Sequence, residues 1–408
     1  LESREFERGV TAAVNASVKP LLERYLNRLS EELKGHGYRG ELLVMNGNGG
    51  TVSARSVSDE AVKTVMSGPA SGVIAAAYIG KQAGRPNLIT YDMGGTSTDV
   101  ALIYNSHPSI SSEIEIEYAM PIHLPMVDVR TIGAGGGSIA RVNESGLLEV
   151  GPDSAGANPG PICYGLGGDL PTISDANVLL GRLGVQNFSF NLGVVSKEEI
   201  RTIFQTKLGD PLGVNAETAA AAVLRMANTI MAGAIRMVSI SLGKDPRDFS
   251  LFAFGGAGPL HATALASELG VPEVLIPARP GITNAIGCVV ADLRHDFVQT
   301  VNTSLDKMDI GLLSEILSKQ ALEGEALVKR EPVDVSMIEI QHSLDMQFSG
   351  QTHLLRVPLE KKKITPTEIL LAFEQVYFDR FRIRLEGIGV KVVNVRTVVT
   401  GRRPEIDL

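Results

Sequence analysis

The chain has 408 residues, enough for two or three domains of ~100–200 residues each, and its 44% apolar and 21% charged residues give a globular balance. A net charge of −8 without a long basic block argues against a nucleic-acid partner. No apolar run approaches the ~20 residues that a bilayer span needs, no secretory signal opens the chain, and Cys163 and Cys288 are too few for a disulfide framework and suit a reducing compartment, so a cytoplasmic protein with no membrane partner is expected.

Apolar residues at Phe6, Val10, Val14, Val18, Leu22, Leu26, Leu29 and Leu33 predict a long amphipathic helix over 3–35, ended by Gly35 and Gly37. A strand is expected at 41–46, then a glycine turn at 47–50, the string Met66-Ser67-Gly68-Pro69-Ala70-Ser71-Gly72 and a small-residue helix to Ile79. The stretch 88–104 follows: an apolar run, then Asp92-Met93-Gly94-Gly95-Thr96-Ser97-Thr98-Asp99, then a second apolar run. It reads as two strands joined by a tight glycine turn. Further strands are expected at 113–118 and 126–129, leading into the glycine loop 133–137.

Residues 143–174 are rich in Gly and Pro and read as a long irregular loop, functional or lid-like. Asp175 is expected to cap a short helix over 176–183. An Ala-rich helix spans 216–242, a strand spans 249–254, and the loop 255–259 leads into a helix to Leu269. A short strand at 274–276 and a helix at 282–292 come next. Near residue 300 glycine thins, and a helix (308–329), strands (333–346 and 352–358), a helix (366–385) and a last strand (391–400) read as a small α+β unit.

Glycine loops after predicted strands, at 47–50, 94–95, 133–137 and 255–258, point to a polyphosphate site at the carboxyl ends of a sheet. Gly94 and Gly95 permit backbone angles that let amides converge on an anion. Asp92, at a strand end, can hold a metal ion or orient a water. Asp99 reads as a turn or strand-end cap and Ser138 as a helix N-cap. His123, Asp128 and His261 lie beside glycine loops and could combine as a metal or proton-transfer set, or each make a satisfied polar contact. Cys163 has neither a neighbouring base nor a helix start to make it a thiolate.

The string at 92–99 resembles the second phosphate-binding hairpin of the actin and sugar-kinase superfamily of ATPases, and its D-x-G-G-T-x-T-D form resembles the ATP-dependent hydantoinase A / 5-oxoprolinase family. The same resemblance extends to TIGAGGGS at 131–138, the G-P-x-S-A-G-A-x-P-G-P string at 151–161, CYG at 163–165 and P-T-x-S-D-A-N at 171–177. FGGAGPLHA at 254–262 and P-x-x-P-G-x-x-x-A-x-G at 277–287 complete it.

The resemblance implies an α/β chain: an actin-like, ribonuclease-H-like ATPase half over 1–300 and a smaller C-terminal α+β domain over 301–408. It implies that Asp92 orders a metal and a water at the terminal phosphate, with Thr96 and Asp99 beside it in the catalytic set. Gly94, Gly95 and Thr96 would face phosphate, Gly255, Gly256 and Gly258 the nucleoside, and Gly133, Gly135, Gly136 and Gly137 would form a further loop in the cleft. ATP and Mg2+ or another divalent metal are the implied cofactors. The implied activity is phosphorylation and opening of a cyclic amide such as a hydantoin or 5-oxoproline, with a B-type hydantoinase subunit as partner. A related ketone carboxylase subunit, or a nucleotide-regulated actin-like assembly module, is the alternative. The first D-x-G-G-T hairpin of such proteins is absent and the chain starts at Leu1, so it is expected to lack the N-terminal half of the subunit and to be inactive alone.

Overall fold

A computed structural model describes residues 5–111, 114–115, 121–184, 195–359, 365–385 and 387–406. Two compact units interleave along the chain. One draws on residues within 1–74, 110–127 and 286–408, the other on 75–109 and 128–285. The boundary expected at residue 300 falls inside the strand Leu293–Ser304. That strand pairs with Val390–Arg402 along its length and with Thr51–Ser53 at one end, so the carboxyl-terminal strands share a sheet with amino-terminal ones. Backbone pairing, which composition does not report, sets this division.

In the second unit the strands Val129–Ile132, Thr98–Tyr104, Leu88–Met93, Ser250–Phe254 and Val274–Leu275 lie side by side in that order. Leu88–Met93 pairs antiparallel with Thr98–Tyr104, placing Asp92 opposite Asp99. It also pairs parallel with Ser250–Phe254, placing Phe254 beside Asp92. Ser250–Phe254 is buried along its whole length, as a strand covered on both faces must be.

The helix Ala216–Ser241 packs into the core of this unit through Ala219, Ala220, Ala227 and Met231. Asn215 caps it, accepting the Thr218 amide at 2.8 Å. Its alanines combine high helix propensity with small volume, so the helix can sit close to its neighbours. By length and composition it could cross a membrane, contrary to the sequence expectation; half of its apolar window is buried within the protein.

The first unit is built on the sheet Leu43–Met45, Thr51–Ser53, Leu293–Ser304, Val390–Arg402, Met337–Phe348 and Leu355–Leu359. The helices Ile310–Arg330 and Pro366–Phe381 contribute Leu313, Ile316, Ile369 and Phe373 to a core with Leu344, Val357 and Val395. The second of these helices carries a capping box between Thr365 and Glu368. The amino-terminal helix Glu5–Gly35 forms as its periodicity predicts, but only Leu26 is fully buried.

The expected strand at 126–129 is two strands with different partners. Met126–Val127 pairs with Ile110–Ser111 and Val129–Ile132 with the hairpin. The strand expected at 113–118 falls mostly outside the described residues. The region expected to be an irregular lid starts as a hairpin, Ser138–Val142 with Leu148–Ser154, and its remainder is fastened by Asp175. Asp175 is not the cap residue. Thr172 caps the helix Ile173–Leu179, and the buried Asp175 carboxylate accepts the amides of Ile162, Cys163 and Thr172 at 3.2, 2.7 and 3.0 Å.

Candidate functional site

Three loops leave adjacent strands at one end of the second unit's sheet. The turn 94–97 is in the middle, the 133–137 loop on one side and the 255–258 loop on the other. The turn closes through the Gly94 amide, which donates to the Ser97 carbonyl at 2.9 Å. Gly94, Gly95 and Thr96 are exposed, and so are Gly133 and Gly256. Among the described residues, the amides of Gly95, Thr96 and Gly256 have no acceptor within the protein. Donors that turn no group inward are what an anion requires.

The buried glycines act differently. Gly136 and Gly137 donate their amides to the carbonyls of Gly94 and Gly95 at 3.0 and 2.6 Å, and the Gly135 amide donates to Ser138 Oγ at 2.8 Å. A Cβ on Gly135 would lie 2.5–2.7 Å from backbone atoms of Thr96 and Ser97. The close approach foreseen for this loop is therefore an approach to the hairpin turn; Gly135, Gly136 and Gly137 buttress it from behind, and their amides are not free for a ligand. Ser138 starts a strand, so its hydroxyl caps the glycine loop and not a helix.

On the other side, Gly255 adopts φ +81°, and a Cβ there would stand 2.3 Å from Asp92 Oδ1. Glycine is required on both counts. Gly258 opens the helix Gly258–Leu269, where its own Cβ would sit 3.3 Å from the Tyr91 carbonyl. Gly256 faces open space.

The Asp92 and Asp99 carboxylates face one another across the hairpin. Burial raises both above the ordinary carboxylate range. A hydrogen bond from Asn284 Nδ2 to Asp92 Oδ2, at 3.1 Å, opposes the rise for Asp92, and the charge of Asp99 adds to it. Thr131 Oγ1 donates to Asp99 Oδ1 at 2.6 Å and opposes the rise there. No Lys or Arg is among the groups that shift either carboxyl. The pair is thus a half-buried anionic oxygen set held by neutral donors. An all-oxygen set of one or two carboxylates suits Mg2+ completed by phosphate and water oxygens.

The metal set expected from His123, Asp128 and His261 does not assemble. Among the described residues no three His, Cys, Asp or Glu side chains gather as a metal site. His123 belongs to the other unit. Asp128 pairs with Arg130 at 3.2 Å. His261 is fully buried; its Nδ1 donates to Asn228 Oδ1 at 2.8 Å and its Nε2 accepts from Asn177 Nδ2 at 3.3 Å. Burial, with a contribution from Arg182, pushes its pKa down to about 4, so it is a neutral structural histidine. Cys163 is buried, and burial together with the adjacent Asp175 pushes its thiol far up, which leaves it inert. Sequence reasoning missed Asn284 and Thr131. Each sat inside a recognised string, but a polar residue in a string has no visible partner until the chain is folded.

The hydantoinase/oxoprolinase family profile matches residues 8–297, and the chain belongs to that family. It is 34% identical to the caprolactamase subunit alpha of Pseudomonas jessenii over 98% of this chain and 58% of that protein. It is 31% identical to the acetophenone carboxylase gamma subunit of Aromatoleum aromaticum over 96% of this chain and 53% of the relative. The crystal structure of the ATP-dependent caprolactamase from Pseudomonas jessenii superposes with a TM-score of 0.86 at 33% identity, over all of this chain and 60% of that one. The chain thus spans between 53% and 60% of the length of these three proteins.

Proposed function

We propose that this chain carries a phosphate-handling wall of an ATP-dependent enzyme that activates a cyclic amide, such as a hydantoin, 5-oxoproline or a simple lactam, for hydrolysis. The observation that carries this reading is the Asp92–Asp99 pair beside the exposed turn 94–97 and Gly256, at the meeting point of three loops. An unstrained amide is a poor electrophile. Transfer of the γ-phosphoryl group of ATP to its carbonyl oxygen forms an O–P bond as ADP leaves. Water then adds to the activated carbon, the ring nitrogen takes a proton and leaves so that the C–N bond opens to an acyl phosphate, and a second water releases phosphate from the carboxylate. Such transfer relies on positioning and charge stabilisation more than on covalent chemistry by the protein.

In this reading the exposed amides of Gly95 and Thr96 meet phosphate oxygens, Gly256 leaves room for the nucleoside, and Asp92 with Asp99 holds Mg2+. The metal would supply charge neutralisation for the transferred group. A B-type subunit would share the ring-opening step. The family relatives that are carboxylase subunits favour a second reading, in which the activated carbonyl is that of a ketone. Both readings use the same wall.

The test is phosphate release by the full-length protein with its partner subunit, ATP and Mg2+, in the presence of hydantoin, 5-oxoproline or caprolactam, or of a ketone with bicarbonate. Stimulation by an amide supports the first reading and stimulation only by a ketone the second. Release that none of them stimulates would overturn both.

A further inference from the structure

We infer that Asn284 is a positioning residue that, together with the backbone at Gly255, clamps the Asp92 carboxylate in one orientation without neutralising it. This rests on the phosphate-handling role proposed for Asp92. One carboxylate oxygen is held by a donor and the other fills space that glycine leaves. Asn284 Nδ2 donates to Oδ2 at 3.1 Å. Oδ1 lies so close to Gly255 that a Cβ there would come within 2.3 Å of it.

Asn284 and the Gly255 loop are tied together by one short segment. The Gly255 amide donates to the Pro280 carbonyl at 3.0 Å, and Pro280 begins the turn Pro280–Ile282 that enters the helix Thr283–Val290. Thr283 Oγ1 donates to the same Pro280 carbonyl at 3.1 Å and fixes the turn. Residues 280–284 therefore set the place of the glycine loop and of the donor to Asp92 at once. A rotation of Asp92 would break the Asn284 bond.

The chemistry of the donor matters. A lysine or arginine at 284 would hold Asp92 and cancel its charge. An amide N–H holds it and leaves the charge for a cation. A hydrogen bond to a charged group is worth about 1.5–3 kcal/mol, so its loss corresponds to roughly tenfold or more in any step that needs the ionised, oriented carboxylate.

The test uses the full-length protein with its partner subunit and measures ATP turnover against Mg2+ concentration for wild type, Asn284→Ala and Asn284→Asp, with a melting curve for each. Asn284→Ala should lower turnover about tenfold and raise the Mg2+ concentration that gives half-maximal turnover, because the carboxylate is no longer held in one orientation. Asn284→Asp, which keeps the shape but cannot donate the bond, should lose turnover as well. Loss of turnover in Asn284→Ala with the Mg2+ dependence in place would make Asn284 merely structural and overturn the inference. Wild-type turnover in Asn284→Ala would overturn it as well. Asp92→Asn is run in parallel. If it turns over normally, the role of Asp92 itself fails. If it is inactive while the 284 variants are normal, only the clamp fails.

Discussion

Asp92 is asked to stay ionised where burial and a facing carboxylate favour the protonated form. A carboxyl whose folded pKa is raised weakens the fold above its ordinary value and is retained for what the charge does. Asp92→Asn should therefore cut ATP turnover of the full-length enzyme by ~10²-fold, the scale of losing one electrostatic contributor, while the melting temperature at neutral pH stays level or rises. Turnover close to wild type would remove Asp92 from the catalytic set. His261 presents the opposite case. Its folded pKa of about 4 lies below its ordinary value of 6.5, so it stays neutral in the fold while the unfolded chain takes up a proton between those values. Its contribution is present above pH 6.5 and is lost as pH falls toward 4. At ~1.4 kcal/mol per unit the loss is on the order of 3 kcal/mol. Denaturant titrations across that window should show wild type losing more stability than His261→Asn. Parallel curves would mean that the imidazole is not held neutral.

Among the loops, the same residue type does two kinds of work. Gly135 stands against the backbone of Thr96 and Ser97, which cannot give way without moving the hairpin, whereas Gly256 has no neighbour within 4 Å of a Cβ. Gly135→Ala is expected to cost ~1–3 kcal/mol in chemical denaturation, as overpacking does. Gly256→Val should lie within ~0.5 kcal/mol of wild type yet weaken ATP binding measured by calorimetry on the full-length protein. Equal stability losses in the two variants would contradict the division into buttress and ligand-facing glycines. The Asp175 staple belongs to this scale as well. One buried carboxylate accepting three backbone amides turns a Gly- and Pro-rich stretch into fixed structure beside the glycine loop.

At the scale of the whole molecule, each compact unit has its own core: Phe204 is fully buried in that of the hairpin unit and Phe373 in that of the other. Truncating a buried phenylalanine costs ~3–5 kcal/mol. Local opening follows the core that is weakened. Hydrogen exchange should therefore speed up within residues 75–109 and 128–285 for Phe204→Ala, and within the amino- and carboxyl-terminal stretches for Phe373→Ala. Uniform acceleration in either variant would show one cooperative unit where two cores are drawn.

The elements of this chain were local enough to be written in its sequence. Helix periodicity, strand runs and the Gly94-Gly95 turn located the long helices and the hairpin strands, and the loop strings placed the chain in its family, but the strands Thr51–Ser53 and Leu293–Ser304, the helix Lys197–Phe204 and the hairpin of Ser138–Val142 with Leu148–Ser154 were not read. These signals depend on neighbours within a few residues, and short-range sterics and burial patterns carry them. Partnership was settled only by the tertiary structure. The sheet that joins Thr51–Ser53 to Val390–Arg402 through Leu293–Ser304 removed the boundary at residue 300. Asn284 reached Asp92 across 192 positions, and the same packing took His261 and Gly135–Gly137 out of the ligand-facing set. A carboxylate at a strand end and a glycine in a loop look alike in sequence whether they face ligand or protein. Which one they face depends on which strand lies alongside, a long-range choice made by packing of the folded chain.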